Sequence, residues 1–228
     1  MSIKIAYQGR PGAYSHLACK EAFPQSLPIA CETFEEVFEK TRSGETDISF
    51  IPVENSQAGR VADIHNLLPR TKLIITGEFF FKINHQLLGA KEANLESIKF
   101  ATSHFHALAQ CRDFLQKNKI KPILGTDTAG AAEDLSKKIK KDTAAIASSL
   151  AAEIYDLKII KKNIQDAHHN TTRFLIMRDK LEEKRIKKVK YITSFIFKIR
   201  NMPSALYKAL GGFASNKVNM LKLESYMV

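Results

Sequence analysis

The segment Asp166 to Met177, DAHHNTTRFLIM, crowds two histidines, an asparagine and two threonines ahead of a short apolar strand. Histidine titrates near neutrality and can move a proton. A threonine hydroxyl donates a hydrogen bond but is too weak an acid to surrender a full proton unaided. Asparagine offers two donors and an acceptor on one short side chain. No nucleophile triad, Walker loop or metal-ligand spacing accompanies the segment. The three cysteines, Cys19, Cys31 and Cys111, are odd in number and form no close pair, so neither a disulfide framework nor a zinc knuckle is expected. The elements around the segment must supply its meaning.

Those elements follow one grammar. IKIAY (3–7) alternates with period two, passes through a Gly-Pro turn and enters AYSHLACKEAF, which has helical spacing. ETFEEVFEKTRSG is a second helix, with Thr33 and Glu36 as a capping box and Gly44 as its stop. DISFIPV then reads as a buried strand. Strand precedes helix again at IKFATS, KPILGTDT and TAAIASS, which predicts an α/β fold with mostly parallel strands. KLIITGEFFFKINHQLL breaks the pattern with strands long enough to pass from one lobe to another. Lobe one is expected to comprise about 1–77 plus 159–180, with lobe two, about 78–158, inserted into it.

At nearly every strand exit stand small hydroxyl or amide residues: Ser15, Asn55 with Ser56, Thr102 with Ser103, Thr126 with Thr128, Ser148 with Ser149. In an open α/β sheet these exits form one rim, where ligands bind and helix N-termini present free N–H groups. Any one of them can be an ordinary N-cap. Their repetition at junction after junction points to a cleft that binds an anion.

With 44% hydrophobic residues in 228, the chain can build one large or two small cores. The net charge of +11 lies almost wholly beyond residue 120, in runs such as KKIKK (137–141) and KLEEKRIKKVK (180–190). These runs lack interleaved aromatics and any recognition motif, so nucleic acid is not an expected partner. They read as a solvated helix face and a linker, or as attraction for a small anion. The N-terminus lacks the pattern of a secretory leader and no apolar run approaches the ~20 residues of a membrane span, so a cytoplasmic, reducing location without membrane association is expected.

Four stretches resemble, in order, the signature segments of the prephenate dehydratase family: QGRPGAYSHLA (8–18), IPVENSQAGRV (51–61), SHFHALAQC (103–111) and NTTRFLI (170–176). The resemblance runs over roughly residues 3 to 178. It implies a two-lobed catalytic domain, 1–180, similar to type II periplasmic-binding proteins and acting without cofactor or metal. A basic linker (181–190) and a partial ACT regulatory segment (191–228, ferredoxin-like βαβ) follow. The family reaction converts prephenate to phenylpyruvate, water and carbon dioxide, towards phenylalanine. Because aromatisation drives it, the protein must hold a dianion, assist the leaving hydroxide and exclude water. Neutral donors suit this, since a strong cation at the departing carboxylate would stabilise the ground state.

The resemblance makes Thr172 the leading catalytic residue, as donor or relay at the leaving hydroxyl, with Asn55 and Ser56 in the cleft. Glu54 is a proton donor if burial raises its pKa, or a structural hydrogen-bond partner. Gln8, Gly12 and Ser15 are expected to shape an anion-binding helix end, and Thr102 and Ser103 to line the rim. Asn170 fixes the loop or donates to a carboxylate. Arg173 pairs with a substrate carboxylate or forms a structural ion pair. Phe174 walls the ring or belongs to the core, and His85 is an active-site donor or a buried imidazole. His168 and His169 stand outside the family motif, as loop residues or as acids.

Two departures are visible. Phe105 and His106 replace the proline and glutamine of the family's SHPQALAQC, which changes loop stiffness. In the tail, Ser204 stands where glycine is typical, and Tyr226 and Met227 interrupt the Glu-Ser-Arg-Pro motif after Glu224 and Ser225. The effector positions, Ser204, Ala205, Leu206, Glu224 and Ser225, sit in about half an ACT unit, so phenylalanine feedback is expected to be lost. A homodimer or homotetramer is expected. Arogenate is the alternative substrate, and a non-catalytic anion-binding module on the same fold is the alternative function.

Overall fold

A computed structural model describes residues 2–138, 140–181 and 192–225. It divides into two compact units, residues 1–182 and 183–228. The basic linker expected at 181–190 lies almost wholly outside the described residues, as do Tyr226 and Met227.

The first unit begins with β1 (Lys4–Gln8), α1 (Tyr14–Ala22), β2 (Leu27–Cys31), α2 (Phe34–Arg42), β3 (Ile48–Asn55), the short β4 (Gly59–Arg60), α3 (Ala62–Leu67) and β5 (Ile74–Lys82). A second run follows: β6 (Gln86–Gly89), β7 (Phe100–Ser103), α4 (Phe105–Ala109), α5 (Arg112–Lys117), β8 (Lys121–Leu124), α6 (Thr128–Lys137), β9 (Thr143–Ala147), α7 (Ser149–Ile154) and β10 (Lys158–Lys161). The chain then returns to the first sheet as β11 (Thr171–Arg178). Sheet one has the order β2-β1-β3-β11-β5, with β4 on β3; sheet two has the order β10-β6-β9-β7-β8. These are the two lobes of a mixed α/β unit.

Two expectations are corrected. The sheets are mixed rather than mostly parallel: the βαβ units pair in parallel, but β11 runs antiparallel to both β3 and β5, and β6 antiparallel to β9 and β10. A strand that crosses between lobes enters its sheet from the opposite end, which reverses its direction. The crossings also fall later than 78 and 158, because β5 stays in sheet one to Lys82 and β10 pairs with β6 in sheet two.

Period-two alternation packs sheet one on both faces. Ala6, Ile51, Leu175 and Met177 join Val37 and Phe38 of α2 on one side. Their sequence neighbours Ile5, Phe50 and Phe174 join Ala18, Cys19 and Phe81 on the other. Phe174 stacks on Phe50 with ring centroids 4.5 Å apart. The capping of α2 is close to the box expected. Thr33 Oγ1 accepts from the Glu36 N–H at 3.1 Å, while the Glu36 carboxylate reaches one residue further back, to the Glu32 N–H at 2.8 Å.

The lobes also meet at the loop after β1. Ser148 Oγ donates to the Gly12 carbonyl at 2.6 Å, Tyr155 Oη donates to the Pro11 carbonyl at 2.8 Å, and Arg10 pairs with Glu133 at 2.7 Å. Gly12 has φ +86°, and a Cβ there would lie 2.9 Å from the Ala151 Cα. Backbone conformation and close approach together require glycine. Gly12→Ala is therefore expected to cost about 2–4 kcal/mol, from the left-handed φ and from overpacking against helix backbone. Thermal unfolding of the folded variant checks this.

In the second unit only α8 (Ala205–Ser215) is regular among the described residues. The two strands of the expected βαβ segment are not formed in the described residues 192–201 and 218–225. A strand needs a ladder partner, and among the described residues no segment pairs with either stretch. Instead Phe195 and Phe197 set their rings 5.5 and 6.4 Å from that of Phe213 on α8.

Candidate active site

The end of β3 and the start of β11 are antiparallel neighbours, which places Asn55 opposite Thr172. Asn55 Nδ2 donates to Thr172 Oγ1 at 2.9 Å and to Asn170 Oδ1 at 2.8 Å. Asn170 Nδ2 donates to Gln110 Oε1 at 2.8 Å, and that oxygen lies 2.7 Å from His85 Nε2. His85 Nδ1 lies 2.6 Å from the Tyr14 hydroxyl. A chain of neutral polar groups thus runs from α1, through both crossings, to Thr172. Thr172 accepts one amide N–H, and among the described residues no group accepts its own proton.

The crossings bind each other beside this chain. The His85 N–H donates to Gln165 Oε1 at 2.9 Å, Gln165 Nε2 to Asn84 Oδ1 at 3.0 Å, and the Ile164 N–H to the His85 carbonyl at 2.9 Å. Next to them opens a pocket of about 230 Å³ lined by Gln57, His106, Gln110, Gln165, Asp166 and Asn170, with Ala109 and Ala167. The Asp166 carboxylate accepts from the N–H groups of Asp113 and Phe114 at 3.2 and 3.4 Å, so it caps α5. Amide side chains dominate what is left to meet a ligand.

Thr172, Asn55, Asn170 and His85 are brought together, and Asn170 touches the pocket. Thr172 is 8% exposed and bonded to Asn55, which in turn bonds Asn170 at the pocket. Ser56 serves the backbone of the neighbouring loop: its hydroxyl donates to the His169 carbonyl at 2.8 Å and accepts from the Thr171 N–H at 3.0 Å. Glu54 sits one position earlier on β3, opposite Arg60 of β4 and Arg173 of β11. Arg173 forms an ion pair with Glu78, with Nε and Nη2 each 2.7 Å from Oε2. Phe174 is 1% exposed, in the core.

The remaining positions lie elsewhere. Gln8 donates to the Glu32 carbonyl at 3.2 Å, and Ser15 is in the first turn of α1, whose N-cap Ala13 has no side-chain bond. Ser103 is buried and ties β7 to β9 by donating to the Ile146 carbonyl at 2.6 Å. Thr102 lines a separate pocket of about 140 Å³ beside α6. Ser204, Ala205 and Leu206 open α8 in the second unit, and Glu224 pairs with Lys222 at 2.9 Å. Among the described residues, no cluster of three or more His, Cys, Asp and Glu could hold a metal ion.

Gln57, His106, Gln110 and Gln165 are pocket residues that the sequence reading did not single out as site residues. Glutamine has no periodic or spacing signature. Only the signature stretches that contain Gln57, His106 and Gln110 marked them at all.

Burial decides the charge state of the buried groups. Desolvation lowers the pKa of His85 despite the bond to Gln110, and raises that of Tyr14 well above the usual range, so both are neutral at physiological pH. Burial likewise pushes the Cys19 thiol up to about 12 and that of Cys31 to about 11. His16 stacks on Tyr7, accepts the Gly12 N–H on Nδ1 at 3.1 Å, and is pushed down to about 4, by desolvation first and then by Lys20. A histidine whose folded pKa is depressed takes up protons more readily when unfolded. Its stabilising contribution is complete above about pH 6.5 and is lost as pH falls towards 4. Stability measured by denaturant titration is expected to decline across that window, with a shallower slope for His16→Asn.

The family described as "Prephenate dehydratase" matches residues 5–182. The chain is 43% identical to a "Bifunctional N-acyl-homoserine lactone acylase/prephenate dehydratase" of Komagataeibacter europaeus, over 98% of this chain and 80% of that one. It is 40% identical to "Arogenate dehydratase/prephenate dehydratase 1, chloroplastic" of Arabidopsis thaliana, over 98% of this chain and 57% of that protein's length. Among solved structures it is similar to "GqqA- a novel type of quorum quenching acylases", with TM-score 0.85, 39% identity, and 99% and 82% of the two chains covered. It is also similar to the prephenate dehydratase of Arthrobacter aurescens in complex with L-Phe, with TM-score 0.83, 25% identity, and 98% and 76% covered.

Proposed function

This chain belongs to the prephenate dehydratase family, and from that premise we propose that it converts prephenate to phenylpyruvate, water and carbon dioxide. The observation that carries the reading is the chain of neutral polar groups ending at a threonine hydroxyl that accepts one amide N–H and, among the described residues, has no acceptor for its own proton. In this reaction the bond to the ring carboxylate breaks, its electron pair completes the aromatic ring, and the ring C–O bond breaks in turn. The departing hydroxide takes up one proton to become water. A donor at that oxygen stabilises the charge that develops there. The amide-lined pocket suits a dicarboxylate that must be held without a strong cation at the carboxylate to be lost.

On this reading residues 1–180 are the catalytic domain and no cofactor or metal takes part. Thr172 donates to the leaving oxygen, Asn55 orients it, and Asn170 reaches the substrate. The proposed location is the cytoplasm, supported by three unpaired cysteines and by the lack, among the described residues, of a helix long and apolar enough to cross a membrane. The segment from 191 is read as ACT-like, and the chain as a homo-oligomer. A monomeric mass across micromolar concentrations in light scattering overturns the last point.

Two other activities are named in the relatives. Arogenate differs from prephenate by an amine in place of the keto group, and the name of the Komagataeibacter relative includes an N-acyl-homoserine lactone acylase. The deciding experiment supplies prephenate, arogenate and an N-acyl-homoserine lactone separately and measures phenylpyruvate, phenylalanine and free homoserine lactone. Release of phenylpyruvate at the highest kcat/KM supports the proposal. Preference for either other substrate replaces it, and binding of prephenate without turnover supports an anion-binding module.

A further inference from the structure

The chain of hydrogen bonds ending at Thr172 has a direction, and the backbone sets it. The N–H groups of Gln57 and Ala58 donate to Asn55 Oδ1 at 2.9 and 2.8 Å. A backbone N–H is always a donor, so Asn55 must turn its Nδ2 to Thr172 and Asn170. Asn170 therefore presents Oδ1 to Asn55 and Nδ2 to Gln110, and Gln110 presents Oε1. Since that oxygen only accepts, His85 Nε2 must carry a hydrogen. Nδ1 of the neutral ring is then a lone pair, and the Tyr14 hydroxyl, 2.6 Å from it and 3.3 Å from the Asn84 carbonyl, gives its one proton to the nearer acceptor.

Two donors converging on Gln110 Oε1 fix which way the amide faces. Its NH2, which makes no hydrogen bond among the described residues, is left to the pocket that Gln110 lines. We propose that His85 and Tyr14 are positioning residues for anion recognition: Tyr14 holds His85 as the Nε2–H tautomer, and His85 keeps the Gln110 amide donor turned towards a bound carboxylate. This rests on reading the pocket as the site of a dicarboxylate. The opposite tautomer would set a lone pair against Gln110 Oε1 and leave Asn170 alone to oppose a turn of the amide, which would line the pocket with a carbonyl oxygen that repels carboxylates. The amide links pass on orientation, since an amide gives up its proton only through a high-energy imidic form. His85 accordingly does not supply the proton for the leaving hydroxide.

The test combines tautomer detection with kinetics. Long-range ¹H–¹⁵N spectra of histidine-labelled protein, with the His85 signals assigned from their disappearance in His85→Gln, are expected to show a neutral Nε2–H ring between pH 6 and 8. With prephenate, His85→Leu is expected to raise KM by about tenfold or more, the loss of one buried hydrogen bond and an inverted donor, with kcat changed less than about threefold. His85→Gln, which carries an amide donor at nearly the same distance from the backbone, is expected to recover most of the loss. Tyr14→Phe is expected to show a smaller rise in KM together with a mixture of tautomers. An Nδ1–H ring or an imidazolium in the wild type overturns the proposal. So does a folded His85→Leu or Tyr14→Phe protein with unchanged KM, or a His85→Gln no better than His85→Leu. If wild-type protein neither binds nor converts prephenate, the functional reading falls and the anion-recognition role falls with it. An Nε2–H signal would then show the tautomer held for structural reasons alone.

Discussion

Thr172→Val is expected to lower kcat/KM for phenylpyruvate formation by about 10²–10³, with the fold intact by circular dichroism. Valine keeps the β-branched shape that suits β11 and removes only the hydroxyl. What disappears is the donor to the leaving oxygen, and loss of one such transition-state donor costs about 3–4 kcal/mol. The substitution also leaves one Asn55 N–H without its acceptor, a structural penalty of about 1–3 kcal/mol. Thr172→Ser separates the two effects, because it restores a hydroxyl on the same backbone. Recovery to within about tenfold of wild type is expected. A loss of less than tenfold in Thr172→Val would remove Thr172 from the chemistry and leave it as a structural partner of Asn55.

Phe174→Ala is expected to be the most destabilising substitution in sheet one. Its ring is fully enclosed, stacked on Phe50 and grouped with Phe81, Ile48 and Ile83. Truncation opens a cavity between strands that cannot collapse independently, at a cost of about 3–5 kcal/mol. The fall in Tm should be on the order of 10 °C for a unit of this size. If Phe174 instead walled the substrate, a folded and nearly undiminished Phe174→Ala protein would show a raised KM.

Thr172 and Phe174 illustrate what the sequence could reveal. Period-two alternation marks every second residue of NTTRFLIM for one face of a strand, but it does not say which face is core and which end opens on a cleft. The order and spacing of the signature stretches carried the family, the two lobes and the grouping of Asn55, Asn170 and Thr172. They could not distinguish Ser56 as a substrate contact from Ser56 as a clamp on the loop at His169, because the two roles need the same hydroxyl in the same place in the chain. Gln165 joins the site only because two crossings, 80 residues apart, run side by side. Such proximity is a property of topology and leaves no local trace. Gly12 was marked for a helix end that binds anions. Its conformation and its contact with Ala151 tie it to the other lobe.

The strand order has a consequence for how the molecule is made. β11 is an inner strand of sheet one, between β3 and β5, yet it is the last strand of that sheet to be synthesised. While the ribosome is still translating lobe two, β3 and β5 have nothing between them and both expose unpaired edges. Lobe two is continuous in sequence and can close its own sheet first. Sheet one must wait for a strand arriving from beyond it, with Asn55 and Thr172 meeting across a separation of 117 residues. Such non-local closure is slow. Nascent chains halted before residue 171 should contain a folded inner lobe, an incomplete outer one and no active site, which makes this interval the one in which aggregation competes with folding.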